Sequence, residues 1–94
     1  MRVRYTPRAF ADREAIFTYL ERRNPHAARE VKAYIKKRIL ELGELSRRSP
    51  VVPGLGVHAL WLGRYPYIVY YRVGEHEVST LHIRHVARQP WAGE

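Results

Sequence analysis

Arg84, His85 and Arg88 stand close together near the carboxy-terminal end of the chain, with His82 just upstream and Arg64 on a preceding segment. These residue types suit one chemistry above others. Cleaving RNA through its 2′-hydroxyl needs a base, an acid and cationic stabilisation of the crowded phosphate. The reference pKa of histidine is near neutral, so on type alone His85 can be the base while Arg84 and Arg88 face the phosphate. A histidine beside arginines is more often a hydrogen-bonded structural or surface residue. Residue type alone therefore does not make this cluster a nuclease.

Other chemistries are less well supplied. His82 and His85, three apart on a predicted strand, point to opposite faces and make a poor metal pair. Gly54-Leu55-Gly56 lacks the further glycines and the lysine of a phosphate loop. Ser46, Ser49 and Ser79 have no nucleophile context, and the chain has no cysteine, which removes disulfides and thiolate metal sites. A reducing compartment is compatible with that composition. No cofactor and no metal are expected. Trp61, Trp91 and the tyrosine run could stack on bases, but at strand spacing their ordinary use is as core and groove lining.

The totals set outer bounds. Ninety-four residues make one domain, 1–94, with 46% apolar and 12% aromatic content, enough for one modest core. Seventeen Lys and Arg against nine Asp and Glu give a net charge of +8, which attracts something anionic: nucleic acid, a ribosome or an acidic protein segment. No apolar run approaches the ~18 residues of a membrane span, and the amino terminus lacks the layout of a signal peptide, so no membrane association and a cytoplasmic location are expected.

The elements that must position these residues are legible in outline. Arg64–Val73 and Glu77–Val86 read as two antiparallel strands joined at Gly74-Glu75-His76, with Gly74 free to take positive φ. Alternation places Tyr67, Val69, Tyr71 and Val73 on one face, and Ile68, Tyr70 and Arg72 on the other. On the partner strand, Leu81 and Ile83 alternate with Thr80, His82 and Arg84. Met1–Tyr5 reads as an edge strand. Thr6-Pro7 caps a helix from about Arg8 to Arg22 or Arg23, with Phe10, Ile16, Phe17 and Leu20 as its apolar stripe, Ala9 and Tyr19 flanking it, and Asp12 and Glu14 near its positive end. Asn24-Pro25 caps a second helix to Leu42 or Leu45, on which Ala28, Val31, Ile35, Ile39 and Leu42 step by three and four. Arg29, Lys32 and Lys36 share its outward flank. Ser46–Gly56 reads as a basic loop, Val57–Leu62 as a strand ending at Gly63, and Ala87–Glu94 as irregular. The order strand-helix-helix-strand-strand-strand predicts an α+β fold, a helical hairpin packed on a mostly antiparallel sheet.

At this level the chain resembles the RelE/ParE family of toxins from type II toxin–antitoxin modules. The resemblance rests on Ala9, Asp12, Ile16 and Tyr19 in the first helix, on NPHAA at Asn24–Ala28, and on ILEL at Ile39–Leu42 leading into a loop with Pro50, Pro53 and Gly54. It continues through YPYIVYYRV at Tyr65–Val73 and ends at HVAR, His85–Arg88. It implies a small basic toxin neutralised by a cognate antitoxin with an acidic or partly disordered segment, with operator DNA reached only through that antitoxin. RelE-like members cut messenger RNA on the ribosome; ParE-like members inhibit DNA gyrase and are not nucleases.

The chain leans to the ParE-like branch. RelE-like chains place Lys or Arg on the concave side of the sheet, and Arg directly after an aromatic of the central strand. Here Tyr67 is followed by Ile68, the strand Val57–Leu62 has no Lys or Arg, and no tyrosine follows Tyr71. The expectation is a gyrase-binding toxin with no catalytic residue. Arg84, Arg88 and Trp91 would meet the target, His85 would position the terminal segment, and Arg64 would stand nearby. The alternative is a ribosome-dependent messenger-RNA endoribonuclease with an atypical site of His85, Arg84 and Arg88. A third reading is a basic module that only binds nucleic acid or represses its own operon with a partner.

Overall fold

The two capping devices act as expected. In the computed structural model, which describes residues 1–88 and 91, strand β1 (Arg2–Tyr5) runs into helix α1 (Pro7–Arg23) through Thr6, whose Oγ1 accepts from the Ala9 N–H at 3.2 Å. Asn24 alone links α1 to α2 (Pro25–Leu40): its N–H donates to the Leu20 carbonyl, and its Oδ1 accepts from the Ala27 N–H. One residue thus closes one helix and opens the next, which forces an antiparallel hairpin.

The second helix is shorter than its period suggests. It ends at Leu40, and a single turn α3 (Leu42–Leu45) follows it. Gly43 in that turn lies so near β1 that a Cβ there would collide with the Met1 carbonyl oxygen. The basic loop contains a two-residue strand β2 (Val51–Val52), followed by β3 (Val57–Trp61), β4 (Tyr67–Val73) and β5 (Glu77–His85). Arg64–Pro66, expected in the central strand, instead form the β3–β4 turn around Gly63, which has positive φ; Gly74, expected to need one, does not. The sheet order is β1-β5-β4-β3-β2, with β1 parallel to β5 and every other pair antiparallel. This is the anticipated α+β architecture, with one strand more.

Core packing follows the helical period. Ala28, Val31, Ile35, Ile39 and Leu42 are all buried, and the last four share one core cluster with Phe17 of α1 and Val69, Tyr71, Val78 and Ile83 of the sheet. Each large aliphatic side chain so buried is worth about 1.5–3 kcal/mol, which makes this seam the main source of stability. The stripe on α1 is rotated from the expected one. Ala9 is fully buried, while Phe10 and Tyr19 are half-exposed. Phe10 falls at the flank with Arg13, whose guanidinium lies over the rings of Tyr5, Phe10 and Phe17.

The alternation expected on β5 breaks at one point. Tyr70 pairs with His82, but Tyr71 pairs with Thr80, so Leu81 is the extra residue of a β-bulge. Before the bulge Val78 and Thr80 face the helices; after it Ile83 does, and Leu81 no longer shares a face with Ile83 by simple alternation. His82 and Tyr70 lie on the outer face, yet both are buried.

The bulge leaves one group poorly served. Thr80 is fully buried and its Oγ1 has no hydrogen-bond partner among the described residues. Thr80→Val keeps the shape and removes that hydroxyl, and is expected to stabilise the protein by about 1 kcal/mol in urea denaturation. Destabilisation would mean that the hydroxyl is satisfied.

Candidate functional site

The candidate site is assembled on β5 and the turn that follows it. In the register of the outer sheet face, Trp61 of β3 stands opposite Ile68 of β4, and Ile68 opposite Arg84 of β5. Trp61 is 63% exposed, so it is not the core residue that its spacing suggests. One row over, Ala59, Tyr70 and His82 are aligned in the same way.

Arg84 is the hub of this region. Its Nε donates to the Tyr70 hydroxyl at 2.8 Å, and one terminal nitrogen donates to the carbonyls of His85, Val86 and Arg88 at 3.1–3.2 Å. That nitrogen carries only two N–H groups, so the three carbonyls share them and at least one bond is three-centred, while Nε serves the phenol from the adjacent arm of the planar fork. The chain therefore curls round its own arginine directly after the strand. Two more bonds tighten the curl: the Arg88 N–H donates to the His85 carbonyl, and the Val86 N–H to the Pro66 carbonyl of the β3–β4 turn.

His85 lies on the other side of the strand from Arg84. Its Nδ1 accepts from the Ala87 N–H at 3.0 Å, which places the ring proton of the neutral form on Nε2, and its ring meets Tyr67 edge-on at 5.5 Å. Burial pushes the Tyr67 phenol above its usual range, with the nearby Tyr19 adding to the shift. Arg88 is exposed, and among the described residues no carboxylate pairs with it. Arg64 is also exposed, but its guanidinium lies over the rings of Tyr34 and Tyr65, towards the helices. Arg84, His85, Arg88 and Trp91 thus belong to one terminal region, while Arg64 sits in the adjoining turn and faces elsewhere.

Trp91 lies over the outer face, its ring 5.0 Å from Tyr70 and 5.3 Å from His82, which are themselves stacked. Pro90 and the other residues 89 and 92–94 of the expected irregular end lie outside the described residues. Sequence reasoning missed what holds this platform from beneath. Asp12, read above as a helix-dipole partner, instead accepts from the Ile83 N–H at 3.1 Å and lies 2.5 Å from Nδ1 of His82. One signal was available. Asp12 falls between Ala9 and Ile16 on the inward stripe of α1, and a carboxylate placed there requires a partner.

His82 and His85 face opposite sides, as their spacing implies, and no group of metal-ligating side chains occurs among the described residues. No helix among them is long and apolar enough to cross a membrane.

Comparison with known proteins agrees with this layout. A family model described as the ParE toxin of the type II toxin–antitoxin system parDE matches residues 3–90. Among solved structures, a chain of the chromosomal ParDE system from P. aeruginosa superposes with a TM-score of 0.80 at 26% identity, covering 92% of this chain and 96% of that one. No curated protein matches significantly.

The hub role of Arg84 separates geometry from charge. Arg84→Lys keeps the charge but cannot span a phenol and several carbonyls, so a stability loss of about 1–3 kcal/mol is expected. Urea denaturation of the two proteins measures it, and equal midpoints would show that the turn holds without the fork.

Proposed function

Because the chain belongs to the ParE toxin family of type II toxin–antitoxin systems, we propose that it arrests growth by docking onto DNA gyrase and is neutralised by a cognate antitoxin. The observation that carries this reading is how Arg84 is used. A ribonuclease needs cations free to meet the scissile phosphate as charge builds on it. Here the arginine beside Ile68 is committed to Tyr70 and to the chain's own carbonyls, and its neighbours in the row are Ile68 and the exposed Trp61. Such a row suits contact with a protein surface: aromatic and arginine side chains dominate the binding energy of protein interfaces.

On this reading Trp61 and Arg88 present the accessible contact surface, Trp91 and Arg84 shape it, and His85 fixes the turn between them. Arg64 contributes charge from the side. The antitoxin segment is acidic, attracted by the net charge of +8. It lies along the helical hairpin, where Phe10, Tyr19 and Leu40 are exposed, or adds to the open edge at Val51–Val52. Operator DNA is met only through that partner.

Plasmid supercoiling by purified gyrase is the direct test. Inhibition rising with toxin concentration is expected, together with an SOS response on induction in cells and messages that stay intact. Unchanged supercoiling at saturating toxin would reject the reading, and codon-positioned cuts in translated messages would replace it with the endoribonuclease.

A further inference from the structure

Three features bear together on the terminal segment: Asp12 in α1, the ring of His82, and the seat of Trp91. Asp12 lies in the second turn of α1, beside the edge of β5 that β1 leaves open, and its side chain is only 19% exposed. Its Oδ2 serves two donors at once, the Ile83 N–H and Nδ1 of His82. A carboxylate accepting from an imidazole fixes both the tautomer and the plane of that ring. The ring so fixed is stacked within 10° of parallel on Tyr70, whose hydroxyl is held by Arg84. Trp91 covers both rings at once.

We propose that Asp12 is a positioning residue for the target-contacting segment: through His82 it sets the platform on which Trp91 seats, and so holds Trp91 against the sheet. The inference rests on the gyrase reading for its consequence, but not for its geometry. Two anchors hold the same stretch of chain. Arg84 gathers the turn at residues 85–88, and the Asp12–His82 pair fixes the far end at Trp91. With both in place, Arg88 between them is presented in one arrangement, and the ordering cost is met before the target arrives. With His82 free to turn, Trp91 loses half its seat and the segment must be ordered during binding.

Asp12→Asn leaves an oxygen for the Ile83 N–H but weakens the bond from His82, because a neutral amide is a poorer acceptor than a carboxylate. It also removes the 3.7 Å ion pair with Arg8, and Arg8→Ala is the control for that loss. The measurement uses the full chain with Trp61→Phe, which leaves Trp91 as the sole tryptophan. Asp12→Asn is expected to shift Trp91 emission to the red and raise its quenching by acrylamide, with the far-ultraviolet circular dichroism unchanged. With Trp61 retained, Asp12→Asn is expected to need about ten-fold more protein to inhibit supercoiling, as Trp91→Ala does, and the double variant no more than either alone. Should Asp12→Asn fail to fold, His82→Phe keeps a ring beneath Trp91 but removes the donor, and the same rise in quenching is expected. Emission and quenching unchanged in the folded variant would overturn the proposal. If Trp91 is released but even the unsubstituted protein leaves supercoiling untouched, the platform stands and the gyrase reading falls.

Discussion

Strand β5 is longer than the strand beside it, and most of the molecule answers to that fact. Strand β1 ends at Tyr5, opposite Thr80, yet β5 continues to His85. Beyond Thr80 its outward backbone groups have no neighbouring strand. Helix α1 supplies the partners instead. Thr6 donates its backbone N–H and its hydroxyl to the Thr80 carbonyl, with the hydroxyl also 3.3 Å from the Leu81 carbonyl. Asp12 then takes the Ile83 N–H. An orphaned donor or acceptor here would cost about 1–3 kcal/mol each, comparable with burying a core aliphatic side chain. The start of the helix therefore acts as the missing continuation of the edge strand, and the same bonds fix α1 against the sheet.

The bulge at Leu81 belongs to the same constraint. By inserting one residue it lets Val78 and Thr80 face the helices before it and Ile83 after it, while Tyr70 and His82 come into line on the outer face. That face is then covered from the carboxy-terminal side by Trp91 and tied by Arg84. Both charged groups that reach the backbone here, Asp12 and Arg84, act as surrogates for absent strand partners. On the proposed function this leaves Arg88 and Trp61 exposed for recognition, and Arg84 as the scaffold behind them.

Much of the architecture was legible in the residues. Thr6-Pro7 and Asn24-Pro25 mark helix starts by a mechanism that needs no tertiary context, and the period of Ala28, Val31, Ile35, Ile39 and Leu42 selects a single buried face. The misses have physical causes. Phe10 looked like core because hydrophobicity outranks position, but a rotation of the stripe towards Ala9 and Asp12 puts it at the flank beside Arg13. Leu81 fitted a strict alternation that a bulge interrupts, and a bulge leaves no mark at a residue of ordinary type. Gly74 turned the hairpin without positive φ, whereas Gly63 needed one where the expected strand had not yet begun. In the site, the grouping of Arg84, His85 and Arg88 was readable from proximity in sequence. That Asp12 needs a partner was readable from its place on the inward stripe, but that the partner is His82 was not, since the two lie 70 positions apart.

Residue-by-residue amide hydrogen exchange along β5 tests the central claim most directly. If helix α1 completes the edge, the Ile83 amide exchanges as slowly as core amides such as that of Val69, and Asp12→Ala accelerates it selectively while the β4-facing amides stay protected. An Ile83 amide that exchanges as fast as an open edge, with Asp12 present, would contradict the account.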